Sequence, residues 1–148
     1  MSAIKACRIL APALFIQLLG LPSLAQGKIE QKPATNEDLY TYTFMGGVST
    51  CNMIGSNLAD FDKSLGNSIG MVGITIATKH KSQILDAQGK VINLSQEQLQ
   101  GASAVQIFEQ VARLCGKSMS GTNLQQYDKM KVQIESALKK AKGASTQK

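Results

Sequence analysis

The sequence has no tryptophan, one histidine and few aromatic residues of any kind. The lone histidine, His80, leaves no room for a histidine-based metal cluster, since zinc needs more ligands than one histidine and two cysteines supply. It is also the only side chain whose ordinary titration falls near neutral pH. No G-x-S-x-G elbow, H-E-x-x-H motif or G-x-x-x-x-G-K phosphate loop occurs. The C-x-x-C-H haem attachment is missing as well. Beyond residue 25 there is one arginine, Arg113. A nucleic-acid binder of this size carries a denser basic patch with arginines or aromatics interleaved, so no nucleic-acid partner is expected. No cofactor and no bound metal are expected either.

What is present begins with an export signal. Lys5 and Arg8 precede an apolar run from Ile9 to Leu21, and Pro22 leads to Ser23-Leu24-Ala25. Basic, apolar and small residues in that order predict a cleaved secretory signal over residues 1–25, with cleavage after Ala25. The run is too short and too interrupted for a membrane span. The expected location is therefore the periplasm or the exterior. Cleavage removes Lys5 and Arg8 without any acid, lowering the net charge of +6 by two.

Cys7 leaves with the signal, so Cys51 and Cys115 remain. In an oxidising compartment an even pair reads as a disulfide. Closing a loop of this length stabilises a fold by about 4 kcal/mol in the chain-entropy model. That is a large share of a domain stability of about 5–15 kcal/mol.

Residues 26–35 are polar and read as a flexible leader. Thr35 or Asn36 caps a first helix, with Glu37 and Asp38 favoured at its positive end. Tyr40, Phe44, Val48, Cys51, Ile54, Leu58, Phe61 and Leu65 recur at steps of three and four, which predicts one long helix face. Gly46-Gly47 lies inside this pattern and marks either a kink or close approach of a neighbouring helix, and the unbroken period favours close approach. Gly66-Asn67 is the expected break before a second helix carrying Ile69, Val72, Ile76 and His80. Residues 67–78 are rich in β-branched side chains, so a strand there stays open. Residues from Lys79 to Ile92 form the long connection, with a turn at Asp86–Gly89 and a small hairpin left open.

Ser95 and Gln98 form a capping box for a third helix with Leu99, Ala102, Val105, Phe108, Val111, Ala112 and Cys115 inward. Gly116 is its expected C-cap. Asn123 and Gln126 read as a second capping box, opening a fourth helix with Leu124, Tyr127, Met130, Ile134, Leu138 and Ala141 inward. Gly143 is expected to end it, leaving 143–148 as a disordered tail. The prediction is an all-α, compact four-helix bundle over residues 36–142. A long connection joins helices two and three, and one disulfide staples it.

Two groups of residues invite a functional reading. Met45, Met53 and Met71 lie near Gly46, Gly47, Gly70 and Gly73, and together could line an apolar pocket between the first two helices. His80 is the one acid–base candidate. It has no recognisable partner nearby in sequence, and Lys79 and Lys81 flank it. Ser49 and Thr50 beside Cys51 read as ordinary helix surface. Asp60 and Asp62 flank Phe61 and point to different sides of a helix. Lys117, Lys129, Lys131, Lys139, Lys140, Lys142 and Lys148 concentrate positive charge toward the C-terminus. They are open to weak contact with an anionic membrane surface. The expected activity is non-enzymatic binding of a protein partner or a small apolar ligand. A stress chaperone or a hydrolase using His80 is the alternative.

The run Tyr42-Thr43-Phe44-Met45-Gly46-Gly47-Val48-Ser49-Thr50-Cys51 resembles the start of small exported two-cysteine helical proteins of cyanobacteria. In those an aromatic–glycine stretch precedes the first cysteine, and a second cysteine ends a later helix, as Cys115 does here. The resemblance implies a similar plan over most of the exported chain and no established activity. Some of these proteins carry a phosphodiesterase label. Metal-binding histidines that such a reaction requires are missing here. The plan is also similar to that of periplasmic acid-stress chaperones, small helical proteins with one disulfide, although no local motif matches theirs.

Overall fold

Four helices account for most of the fold. The computed structural model describes residues 31–145, with side chains through Lys140. The predicted signal and Cys7 lie outside the described residues. Helix α1 spans Asn36–Gly55 and α2 Phe61–His80. A hairpin of β1 (Gln83–Leu85) and β2 (Val91–Asn93) follows, then α3 (Gln96–Leu114), a single 3-10 turn, and α4 (Gly121–Ser145). The helical bundle, the connection between α2 and α3, and the disulfide follow the sequence pattern. Residues 67–78 are helix, so packing overrides their β-branched character.

Local chemistry explains most helix starts. Thr35 accepts a hydrogen bond from Asp38 N–H, and the Asp38 carboxylate reaches back to the Thr35 N–H at 2.9 Å. Hydrogen bonds from the Thr35 backbone and hydroxyl hold the Asp38 carboxyl below its usual range. Ser95 and Gln98 form the same reciprocal box at α3. In the hairpin, Gly89 takes a left-handed φ of 77°, which glycine adopts without strain.

The first interhelical break differs from expectation. It falls at 56–60, not at Gly66-Asn67. Asn57 adopts a left-handed φ of 53°, and Asp60 caps α2 by accepting from Lys63 N–H. The three- and four-residue spacing runs across this break because Phe61 and Leu65 belong to the next helix.

The buried face of α1 also differs. Thr43, Gly46, Gly47 and Thr50 are buried, whereas Tyr40, Phe44 and Leu58 are exposed, Leu58 by 77%. Close approach of α2 and α3 admits only small side chains, so the large ones stand on the flanks. Thr50, expected at the surface, is fully buried, and its hydroxyl lies 2.8 Å from that of Ser68. On α3 the inward side is Leu99, Ser103, Ile107, Phe108, Gln110 and Val111, while Ala102 is exposed.

Phe61, Phe108 and Tyr127 tie α2, α3 and α4 together. Phe108 stacks on Tyr127 with centroids 4.9 Å apart, and Phe61 meets both edge-on. Asn123 and Gln126 are not a capping box for their own helix. Their side-chain oxygens accept from the backbone N–H groups of Phe61 and Asp62, at 2.9 and 3.2 Å. They therefore cap α2 from across the bundle. Helix α4 starts earlier, at Gly121 with a φ of 55°. It continues through Gly143 to Ser145, beyond the expected stop. Along it Leu124 and Leu138 are exposed, while Tyr127, Met130 and Ile134 pack against the core. Gly116 belongs to the 3-10 turn and lies against Tyr127, where a Cβ would meet the hydroxyl at 3.2 Å.

Residues 31–35 are not a flexible leader. Ala34 is fully buried and bridges to Ile84 as a parallel strand would. Its N–H donates to Gln83 O, and its carbonyl accepts from Leu85 N–H. An edge of β1 that would otherwise stay unpaired is thereby covered.

Candidate functional site

The predicted seven-residue pocket does not assemble. Met45 and Met71 are each 63% exposed, and Met53 is half-buried. The space above Gly46 is filled by Ile107 of α3, and that above Gly47 by Gln110. This glycine pair closes a seam.

Gly70 and Gly73 behave differently. A Cβ at either would meet nothing within 4 Å. They lie along a groove of about 420 Å³ between α2 and the first turn of α3. Ile69, Ile74 and Ala77 line it from α2, and Leu99 faces them from α3. Gln96 and Gln100 supply amide groups at the α3 side, and Ser82 lies at the end of α2. Lys81 and Ser82 both take left-handed φ, 52° and 59°, which is uncommon for non-glycine residues. This sharp exit sends the chain into β1. Volume and apolar lining fall within the ordinary range of ligand grooves.

His80 is held from two sides. Its Nδ1 lies 2.7 Å from the Lys32 carbonyl, which can only accept, so Nδ1 carries the proton. Its Nε2 lies 2.9 Å from the Tyr42 hydroxyl. In the neutral ring the hydroxyl donates to Nε2. Lys79 places its ammonium 5.7 Å from the centroid of the Tyr42 ring. Gln31 adds a bond to the Thr78 carbonyl. Through Nδ1 and Gln31 the arrangement pins residues 31–35 to the end of α2, and through Nε2 it ties that end to α1, so both imidazole nitrogens are engaged. Sequence reading missed Tyr42 because its partner is 38 residues away. The antiparallel pairing of α1 and α2 brings them together.

Cys51 and Cys115 form the predicted disulfide, with Cα atoms 5.9 Å apart. It joins α1 to the end of α3. Among the described residues no group of three histidine, cysteine or acidic side chains could hold a metal ion. Among them, too, no helix is long and apolar enough to cross a membrane. Lys117, Lys129, Lys131, Lys139 and Lys140 are exposed, and the side chains of Lys142 and Lys148 lie outside the described residues.

Fold and groove together define a small disulfide-linked four-helix domain with a tight α1–α3 seam and an open groove between α2 and α3. Residues 37–145 match the family described as a domain of unknown function, DUF8650. The chain belongs to that family. No curated protein and no solved structure matches it significantly.

Proposed function

We propose that this is an exported, non-catalytic binding domain that takes an apolar segment of a partner protein into the α2–α3 groove. The observation that carries the reading is the open space over Gly70 and Gly73 beside Ile69, Ile74 and Leu99. A helix interior that keeps two glycines without a neighbour to accommodate gives up about 1 kcal/mol at each against alanine. An incoming apolar group that must approach the α2 backbone closely would account for that cost. Ile74 stands 66% exposed at the edge of the groove, where a partner would cover it. His80 supports this reading over a hydrolase, since one of its nitrogens already holds the Lys32 carbonyl and the other the Tyr42 hydroxyl of α1.

An apolar fluorescent dye titrated at neutral pH tests the proposal. The wild-type protein should bind it, and Gly73→Leu should weaken binding about tenfold by filling the groove, with helicity unchanged. Dye binding that Gly73→Leu leaves intact would refute the site. Binding that appears only in acid, together with suppressed client aggregation, would replace it with an acid-activated chaperone.

A further inference from the structure

We infer that a second cleft, between the first half of α1 and the second half of α3, binds a neutral sugar ring. This cleft has a volume of about 300 Å³. It is separate from the α2–α3 groove and shares none of its residues. Asn36 and Tyr40 line it from α1, and Gln106, Glu109, Gln110 and Arg113 from α3.

Gln110 is the built element. It is only 6% exposed. Its Oε1 accepts a hydrogen bond from Arg113 Nη2 at 2.8 Å, which fixes which end of the amide is oxygen. The Nε2 end donates to nothing among the described residues, yet no fully buried side-chain atom among them lacks a partner. Nε2 is therefore not fully buried, and Gln110 lines the cleft. Gln110 can sit there because residue 47 is glycine, where a Cβ would lie 2.5 Å from Gln110 Cβ.

Tyr40 supplies a different surface. It is 55% exposed and stacks on Phe44, with centroids 6.1 Å apart and planes 18° from parallel. One helical turn separates the two rings, so Phe44 backs the Tyr40 ring, and Tyr40 is the aromatic residue that lines the cleft.

These groups select a ligand class. Glu109 and Arg113 bring opposite charges to the same wall, so the cleft as a whole selects neither sign of net charge and accommodates a neutral molecule. Each side-chain amide offers both donors and an acceptor, matching hydroxyl groups, which also do both. Leu39 and the Tyr40 ring make part of the lining apolar, while the amides would be left unsatisfied by a purely apolar ligand, so the ligand needs both an apolar face and hydroxyls. The aromatic face takes the apolar C–H face of a ring. A pyranose has one such face and a rim of hydroxyls.

The purified protein should be titrated with the trimer of N-acetylglucosamine, cellotriose and maltotriose, followed by NMR of side-chain amides and tyrosine rings. At least one sugar should move the Gln110, Gln106 and Tyr40 signals saturably at millimolar concentration. Tyr40→Ala should weaken that binding about tenfold, and Tyr40→Phe should retain it. Tyr40 is exposed, so its removal leaves the fold intact, and Gln106→Ala gives an independent loss from the opposite wall. Failure of all three sugars to move these signals overturns the inference. So does binding that Tyr40→Ala and Gln106→Ala leave unchanged.

Discussion

Gly46-Gly47 on α1 and Gly70 with Gly73 on α2 are the same residue type in helices of 20 residues each, yet they do opposite work. Over the first pair α3 comes down until Ile107 and Gln110 occupy the space a side chain would take. Over the second pair nothing comes down at all. The first pair is therefore explained by the chain's own packing, and the disulfide at Cys51–Cys115 lies one turn further along the same seam. The second pair finds no such explanation within the described residues. Glycine in a helix interior is unfavourable in both places. Only at the seam is that cost offset by contacts inside the domain.

Alanine substitutions test this contrast directly. The largest effect is expected at Gly47. An added methyl would lie 2.5 Å from Gln110 Cβ, an atom close to the backbone that cannot swing aside. Gly47→Ala should destabilise the domain by about 1–3 kcal/mol, as overpacking does. Urea unfolding with an unchanged slope and a lower midpoint would show it. A midpoint equal to the wild type would mean that α1 and α3 can separate freely, and the seam would lose its meaning.

Much of this was readable from the chain, and the unreadable parts share a cause. Thr35 with Asp38, and Ser95 with Gln98, act on their own helix ends, so a four-residue window is enough to find them. Gly89 in the hairpin is equally local. Asn123 and Gln126 have the same spacing but serve α2, with partners 62 and 64 residues earlier in the chain. No local window distinguishes the two uses. On α1 the apolar periodicity follows the large residues Tyr40 and Phe44, while the contact is made by small ones, so the pattern points to the wrong face. Gly70 and Gly73 line the α2–α3 groove, while Met45 and Met71 stand exposed and outside its lining. Gln110 gave no signal of its own, since a glutamine on a helix usually faces water.

The next effect in size has the opposite sign. Gly73→Ala adds a methyl where nothing lies within 4 Å and improves helix propensity. It should stabilise the domain by about 1 kcal/mol in the same urea experiment. Apolar-dye binding should fall at the same time, because the methyl enters the groove. Stabilisation without any loss of binding would leave the glycine unexplained by an incoming partner. Destabilisation would mean that the groove is filled from within.

Gly46→Ala should have the smallest effect, because two terms there nearly cancel. The added methyl would meet Ile107 Cδ1 at 3.0 Å and Cγ1 at 3.1 Å, with Val72 at 3.4 Å. The nearest atom is the tip of a side chain that can rotate by a few tenths of an ångström, unlike Gln110 Cβ above Gly47. The contact cost is therefore modest, and the helix-propensity gain of about 1 kcal/mol opposes it. A net change within about 0.5 kcal/mol of zero is expected from the urea midpoint. A loss as large as that of Gly47→Ala would show that Ile107, fully buried between α1 and α2, has no room to turn. The seam would then be rigid along its whole length. A small change, with Gly47 sensitive and Gly73 gaining, would instead confine the rigidity to the contact with Gln110.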